Sequence, residues 1–587
     1  MSGYFGKRPR SAMTSVRRWP EKASPYAAVV FAVLVAFGLR AFRLGVSWDI
    51  SEDEIDYLQI SHGVLRTLWV VGWDGGPFYL HPPLFFFLEA AYIKLFSLGG
   101  DLIGQIHGVR YLDAAFGGLS AGALLWLGRW LAGWPAGIAA AAIFALDPFS
   151  IRMNSRNFLD TPTVLWVLLG YVVLFSALVQ EGRQPVSWRR TIAAGVLFGL
   201  ALLTKEKSVF LTLLPLGICF VLGWALPRTR SALVGVVALV VYAPYLAIVY
   251  AIGDWDTFRE QKLAGVSRLA GLLQVTGFNQ EGGPSFLDAI VSRLDEFATT
   301  YMLLATGAVA VCVLLLTDLG KAPARRLLAT WTASAYVFLA YSMVLGTLEE
   351  HFFYYLSVAS ILATTVTTAL VLQKAWVLRK AQAGDTGSHP TDAAWRARDG
   401  RGRRLLAMEA AVTVLVAALA FWSTYVWVVT HAVPDNAYEN VVSYVDGLPE
   451  GSRVAVTSDM AEPLIQKHMG KGRYESVEDL QADNADYVVI SSYLSTRGWG
   501  EPPPEVYQWV TNQGQLVYGF EGSSSGLLGV WRLEDHAKGA APAPPEASHE
   551  ASTETARRPE GEPSSSPGSG APPEEPTRGP STSINDM

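Results

Sequence analysis

The chain has 587 residues, of which 51% are hydrophobic and 17% charged, with 19 Trp and a formal net charge of −6. Soluble domains carry about 25% charged residues, so this composition excludes an ordinary cytosolic protein and points to a polytopic membrane protein. The two cysteines, Cys219 and Cys312, both lie in apolar runs, which excludes a disulfide framework and reads as small buried side chains.

Residues 1–24 carry Lys7, Arg8, Arg10, Arg17 and Arg18 and precede an apolar run, Tyr26–Leu44. No cleavable signal pattern is present, so this reads as a first span with a cytoplasmic N-terminus. The later runs are Val109–Leu127, Ala136–Phe149, Val164–Val179, Ile192–Leu203, Val209–Leu226, Leu233–Ile252, Phe297–Leu316, Leu327–Leu345, Tyr354–Leu372 and Leu405–Val429. Cytoplasmic loops concentrate Lys and Arg. Arg183, Arg189 and Arg190 mark one such loop, Arg228 and Arg230 a second, and Lys321, Arg325 and Arg326 a third. Eight basic residues mark the fourth, 373–404. By parity, the loops around 150–160, 204–207, 253–296 and 346–353, and everything after 430, face outward.

Leu84–Phe96 is apolar too, but its 13 residues span only roughly 20 Å against a core of about 30 Å. It also holds Glu89 and Lys94, which are costly at bilayer depth. It is read as a helix lying on the outer face, leaving about eleven crossings. Residues 45–107 then form one large external loop. Within it, Ile55, Leu58, Leu65 and Leu68 recur at helical spacing and predict a second external helix over 52–68.

The expected fold is thus a polytopic α-helical membrane domain over 25–430 with large external loops at 45–107 and 253–296. Strand-like runs at Arg453–Thr457, Tyr487–Ser491, Leu516–Phe520 and Leu527–Leu533 predict a small external α/β domain over 432–535, with a helical stretch at Val477–Gln481. Residues 536–587, rich in Pro, Ser, Glu, Gly and Ala, predict a disordered tail.

The external face has a distinctive polar inventory. The first loop offers Asp53, Glu54 and His81; the second Arg152, Arg156 and Asp160; the third Lys205, Glu206 and Lys207; a later one Glu349, Glu350 and His351. Basic residues stand at the membrane boundary on the side where topology disfavours them, and an anion such as a lipid-linked phosphate explains them. Carboxylates beside a phosphate site give a reaction class. Phosphate leaves without acid catalysis when cations balance it, and a carboxylate base activates an acceptor hydroxyl. Asp53 is the candidate base, Glu54 its helper, and His81, Arg156 and Lys205 the candidate phosphate ligands.

These motifs resemble the GT-C glycosyltransferases, in particular the protein O-mannosyltransferase and aminoarabinose transferase branch. The matching residues are Asp53-Glu54, His81-Pro82-Pro83-Leu84, Ser155-Arg156 with Asp160, Leu203-Thr204-Lys205, and more loosely His351 with Tyr354-Tyr355-Leu356. The resemblance covers residues 25–375. It implies a GT-C fold and an inverting transfer of a monosaccharide, hexosyl or mannosyl, from a polyprenyl-phosphate donor at the outer face of the plasma membrane. It implies Asp53 as base and adds Asp160, His351 and Tyr354 to the donor-binding residues. The acceptor is a protein, lipid or cell-wall glycan. Departures from the family pattern are Glu206-Lys207 where a Gly commonly follows Lys205, and the missing Pro after Leu356.

Plainer readings stand beside these. Asp53-Glu54 reads as a helix N-terminal pair, Arg156 and Asp160 as an i,i+4 ion pair, Lys205 as a snorkelling side chain, and the aromatic runs Phe85–Phe87 and Phe352–Tyr355 as an interfacial belt. The His, Asp and Glu residues lack metal-site spacing; no cofactor is called for and a divalent metal is left open. Basic residues at 374–404 read as a topology signal or lipid contact and not as a nucleic-acid site. The rival functions are a transporter or lipid flippase, which needs ionisable residues at mid-membrane, and an inactive relative acting as an external binding module.

Overall fold

In the computed structural model the described residues are 24–72, 75–180, 186–272, 286–384, 417–457, 461–465, 474, 476–493 and 504–534. The basic segment 1–23, most of the basic loop 373–404 and the tail expected over 536–587 lie outside them.

Among the described residues five helices are by themselves long and apolar enough to cross a membrane: Asp160–Val179, Arg228–Ala251, Leu294–Leu316, Pro323–Val344 and Phe352–Val377. A sixth arises if Trp134–Leu146 and Pro148–Asn154, bent by 66°, form one span. The other expected crossings coincide with helices that are short or carry charge. Pro25–Ala41 and Trp188–Thr204 have 17 residues each, and Leu213–Leu222 has 10. Leu102–Ala132 has 31 residues and buries Arg110 and Asp113. The last is described only from residue 417 onward. Trp188–Thr204 packs tightly on Arg228–Ala251 through Gly195 and Gly199. A Cβ on either would come within 2.6 Å of Val237 or 2.5 Å of Val241, so small residues four apart set that crossing.

The bend has a local cause. Pro148 lacks an N–H and drives Asp147 out of the helix (φ −64°, ψ 117°). Asp147 then caps the next turn, accepting from Ser150 N at 2.9 Å and from Thr300 Oγ1 at 2.6 Å. The break frees carbonyls of the preceding helix. Arg40, fully buried in the last turn of Pro25–Ala41, donates through Nη2 to Phe144 O at 3.0 Å and through Nε to Asn154 Oδ1 at 2.9 Å. A residue that is costly in a span is thereby fully engaged in closing a helix break.

The two helices expected in the first large loop form at Glu52–Thr67 and Leu84–Phe96. They pack through a cluster containing Tyr57, Ile60, Tyr79, Phe85, Phe86, Tyr245 and Phe258. Phe85 and Phe86 have no exposed surface and Phe352–Tyr355 are buried as well, so these residues are core and not an interfacial belt; of the two runs only Phe87 is exposed. The helix Trp255–Leu269, within the large loop 253–296, is tied to the first loop by Tyr79 OH donating to Asp254 at 2.7 Å and Gln261 Nε2 donating to Pro77 O at 2.9 Å.

The described residues cluster into two compact units. The first holds the helices above, up to Asn440, together with Phe520–Leu527. The second comprises Val441–Gly519 and 528–534. The strands of the sheet are β1 (Val454–Val456), β2 (Tyr487–Ser491), β3 (Gly514–Gly522) and β4 (Gly526–Leu533), in the order β1-β2-β4-β3. The first pair is parallel, and β2 with β4 is antiparallel with Val489 opposite Val530. Val488, Ile490, Val506, Val510 and Leu533 are buried together, as the strand pattern predicts.

Candidate active site

The helix Glu52–Thr67 begins with a capping box. Ser51 is the N-cap, and Glu54 reaches back to accept from Ser51 N at 3.1 Å. The same carboxylate receives a two-pronged bond from Arg110, Nε to Oε1 at 2.7 Å and Nη2 to Oε2 at 2.8 Å. Asn157 N donates to Oε1 at 2.9 Å. Arg110 spends its other donors on the carbonyls of Leu44, Trp48 and Asp49. Burial pushes the Glu54 carboxyl up, but Arg110 outweighs it and holds the group below its ordinary value. Glu54 is therefore the knot joining the start of the first loop, the Leu102–Ala132 helix and the loop after Asn154. Asp53, one residue earlier, is half-buried and lies close enough to Lys205 to raise that ammonium's pKa.

Lys205 is the centre of the second group. It follows the helix Trp188–Thr204, is buried, and donates to Asp160 at 3.0 and 3.2 Å. Asp160 starts the helix Asp160–Gln180 and also accepts from Tyr355 OH. Its ionic partner is thus Lys205, and the i,i+4 pairing with Arg156 is not made, because Arg156 lies in the loop before that helix begins. Burial alone would lower the Lys205 pKa; Asp160, Glu349 and Asp53 raise it above its ordinary value. His351 Nε2 lies 3.3 Å from Lys205 Nζ and 3.0 Å from Glu349 Oε2. Its proton decides which contact is a hydrogen bond: bare, it accepts from Lys205; protonated, it donates to Glu349. Burial and then Lys205 lower its pKa, which favours the neutral ring. Glu349 also binds Lys207 at 2.5 Å and Arg268 at 3.0 Å.

His81 belongs to this group electrostatically. Burial, then Lys205, Lys262 and Lys207, hold its pKa well below the ordinary 6.5, so the ring is neutral at pH 7. It lies edge-on to Tyr57 and beside Phe78. Lys262 donates to Leu80 O next to it at 3.1 Å and pairs with Glu206.

Arg156 stands in a third setting. Its Nη2 donates to Ser524 Oγ at 3.1 Å, and Ser524 in turn donates to Asp435 at 2.7 Å. The guanidinium lies 5.9 Å from the Trp48 ring. Its Nε is buried with no hydrogen-bond partner, and among the described residues it forms no ion pair. Nearby Arg152 does find one, in Glu350 at 2.9 Å, shared with Arg293 at 3.0 Å.

Asp53, His81, Asp160, Lys205 and His351 are therefore brought together, with Glu54 next to Asp53 on its helix and Arg156 on the loop before Asp160. Tyr354 is not among them. It is fully buried, its hydroxyl accepting from Asn154 at 2.8 Å, and its neighbour Tyr355 contacts Asp160 instead. Sequence reasoning missed Arg268, Asn157 and the role of Arg110, and named Lys207 and Tyr355 without giving either a role. Arg110 had a visible signal, a guanidinium near the head of a membrane helix without an evident partner. Among the described residues no group of three or more His, Cys, Asp or Glu is disposed to hold a metal ion.

Residues 80–248 match the family model described as dolichyl-phosphate-mannose-protein mannosyltransferase, a stretch containing His81, Arg156, Asp160 and Lys205. No curated protein sequence matches the chain. In structure, 87% of the chain aligns with the archaeal oligosaccharyltransferase AglB from Archaeoglobus fulgidus, solved with an inhibitory peptide and a dolichol-phosphate. The TM-score is 0.54, the identity 12%, and 74% of that chain is covered. ArnT from Cupriavidus metallidurans, bound to undecaprenyl phosphate, aligns with 88% of the chain and 98% of its own, at TM-score 0.50 and 15% identity. The chain has the GT-C glycosyltransferase fold. Within this fold, the convergence of Asp53 with Lys205, His81 and His351 lies among the residues that join the helices Glu52–Thr67 and Leu84–Phe96 to the heads of the spans.

Proposed function

We propose that this protein transfers a monosaccharide from a polyprenyl-phosphate donor to an acceptor hydroxyl at the extracytoplasmic face of the membrane. Asp53 takes the hydroxyl proton as the acceptor oxygen attacks the anomeric carbon. The bond from that carbon to the phosphate oxygen breaks, and the lipid phosphate leaves with the electron pair. A single displacement inverts the anomeric configuration. Lys205, Lys207 and Arg156 balance the phosphate charge, and neutral His81 offers a ring N–H. Glu54 does not share the chemistry in this reading; it anchors Asp53's helix.

The observation that carries the proposal is that side chains from four separated segments, Asp53, His81, Lys205 and His351, share one electrostatic neighbourhood. Arg156 adds a buried guanidinium without a carboxylate partner, the state expected of a group awaiting an anion. Arg156→Ala and Lys205→Ala should each weaken donor binding by about 10- to 100-fold, the worth of one charge-assisted hydrogen bond of roughly 1.5–3 kcal/mol. Unchanged donor affinity in both variants removes the phosphate site.

The transporter alternative fares worse. Arg40 and Asp147 lie at the ends of Pro25–Ala41 and Trp134–Leu146, and Arg110 and Asp113 lie in the first half of Leu102–Ala132. On the proposed orientation all four belong to the outward half of the bundle, not to a path through it. That orientation is tested by single cysteines within 95–100. An impermeant maleimide should label them from outside in intact cells, and protection there would reverse the assignment.

A further inference from the structure

Glu89 takes no part in the chemistry above. It lies in the helix Leu84–Phe96 on a face otherwise made of Phe85, Phe86, Ala90 and Ile93, and it is fully buried. Its Oε2 accepts from Ser61 Oγ at 2.8 Å and its Oε1 from Asn157 Nδ2 at 2.8 Å. Among the described residues no basic side chain pairs with it, and the charged groups that bear on it, Glu54 and Asp113, are both acidic. An unpaired buried carboxyl is costly, and this face of the helix suits an apolar residue. Packing alone does not account for it.

What Glu89 holds is more informative. Asn157 is gripped twice, its side chain by Glu89 and its backbone N by Glu54 Oε1 at 2.9 Å. Asn157 directly follows Arg156, whose buried Nε lacks a partner. We infer that Glu89 is a positioning residue that fixes Asn157 and so aims Arg156 at the donor phosphate. This rests on Arg156 being a phosphate ligand. Burial lifts the Glu89 carboxyl to about 7, Ser61 and Asn157 pulling it down and Glu54 pushing it up. A neutral amide of the same shape is therefore a close substitute.

The test is equilibrium binding of undecaprenyl phosphate to the purified full-length protein, with undecaprenol as the probe lacking phosphate. Glu89→Ala should weaken undecaprenyl phosphate binding about tenfold or more and leave undecaprenol unaffected, a loss of one aimed charge-assisted bond. Glu89→Gln should recover most of the loss. Asn157→Ala should reproduce it, and the double variant should be no worse than either single one, because both act through one contact. If Glu89→Ala does not fold, Asn157→Ala decides by the same readout. Phosphate discrimination in the wild type with unchanged binding in these variants overturns the role of Glu89 alone, as does equal weakening for both probes. A wild type that binds the two probes equally overturns the donor-site reading, and this inference with it.

Discussion

An Asp53→Asn protein should fold as the wild type does and lose sugar transfer by about 10²- to 10⁴-fold, the usual contribution of a positioned general base. The substitution keeps the shape of the side chain and its place in the first turn of the Glu52–Thr67 helix, but an amide cannot take the acceptor's proton. The adjacent carboxylate cannot take over. Both Glu54 oxygens are occupied by Arg110, with Asn157 N and Ser51 N also bound to them. The change should appear in kcat with little change in donor KM, since the base acts on the acceptor. Transfer within tenfold of wild type, in membranes with equal protein, would remove Asp53 from the role of base.

Glu54→Gln should show the opposite character. The amide presents N–H donors to the donors of Arg110, leaving a fully buried guanidinium without its countercharge. Breaking one side of such a pair costs about 3–5 kcal/mol, so the expected result is a large fall in melting temperature at pH 7. The pH dependence follows from the direction of the shift. Arg110 holds the folded-state Glu54 carboxyl below its ordinary 4.5. Its stabilising contribution is therefore fully present above that ordinary value and is lost as pH falls through the lower folded value. The gap in melting temperature between wild type and Glu54→Gln should stay constant from pH 7 down to about pH 5 and narrow in stronger acid. A constant gap into strong acid, or no gap at neutral pH, contradicts the structural role.

From the sequence Glu54 is the helper of Asp53; the structure instead engages its carboxylate at the helix start, with Ser51 N and Arg110, although Ser51-Glu52-Asp53-Glu54 does carry the capping-box pattern. The helices Glu52–Thr67 and Leu84–Phe96 and the four strands fell on their predicted runs because each has a clear period or β-branched content. The run Ala136–Phe149 passes straight through Asp147-Pro148, so the bend there was missed, and so was the engagement of Arg40, which joins residues 114 apart. Helix phase explains the Tyr354 error. Neighbours on a helix point about 100° apart, and the motif does not say which of Tyr354 and Tyr355 faces Asp160. The plainer reading of Arg156 and Asp160 as an i,i+4 pair fails because the helix starts only at Asp160. Glu89 read as a cost of membrane burial, when its partner is an asparagine 68 positions away.

Membranes containing the protein, incubated with a panel of radiolabelled polyprenyl-phosphate sugars, test the central claim most directly. Label from at least one donor should move to an endogenous acceptor in wild-type membranes and stay with the lipid when Asp53 is Asn. Transfer that is equal in the two membranes, or no transfer from any donor beyond that of membranes lacking the protein, would contradict the account.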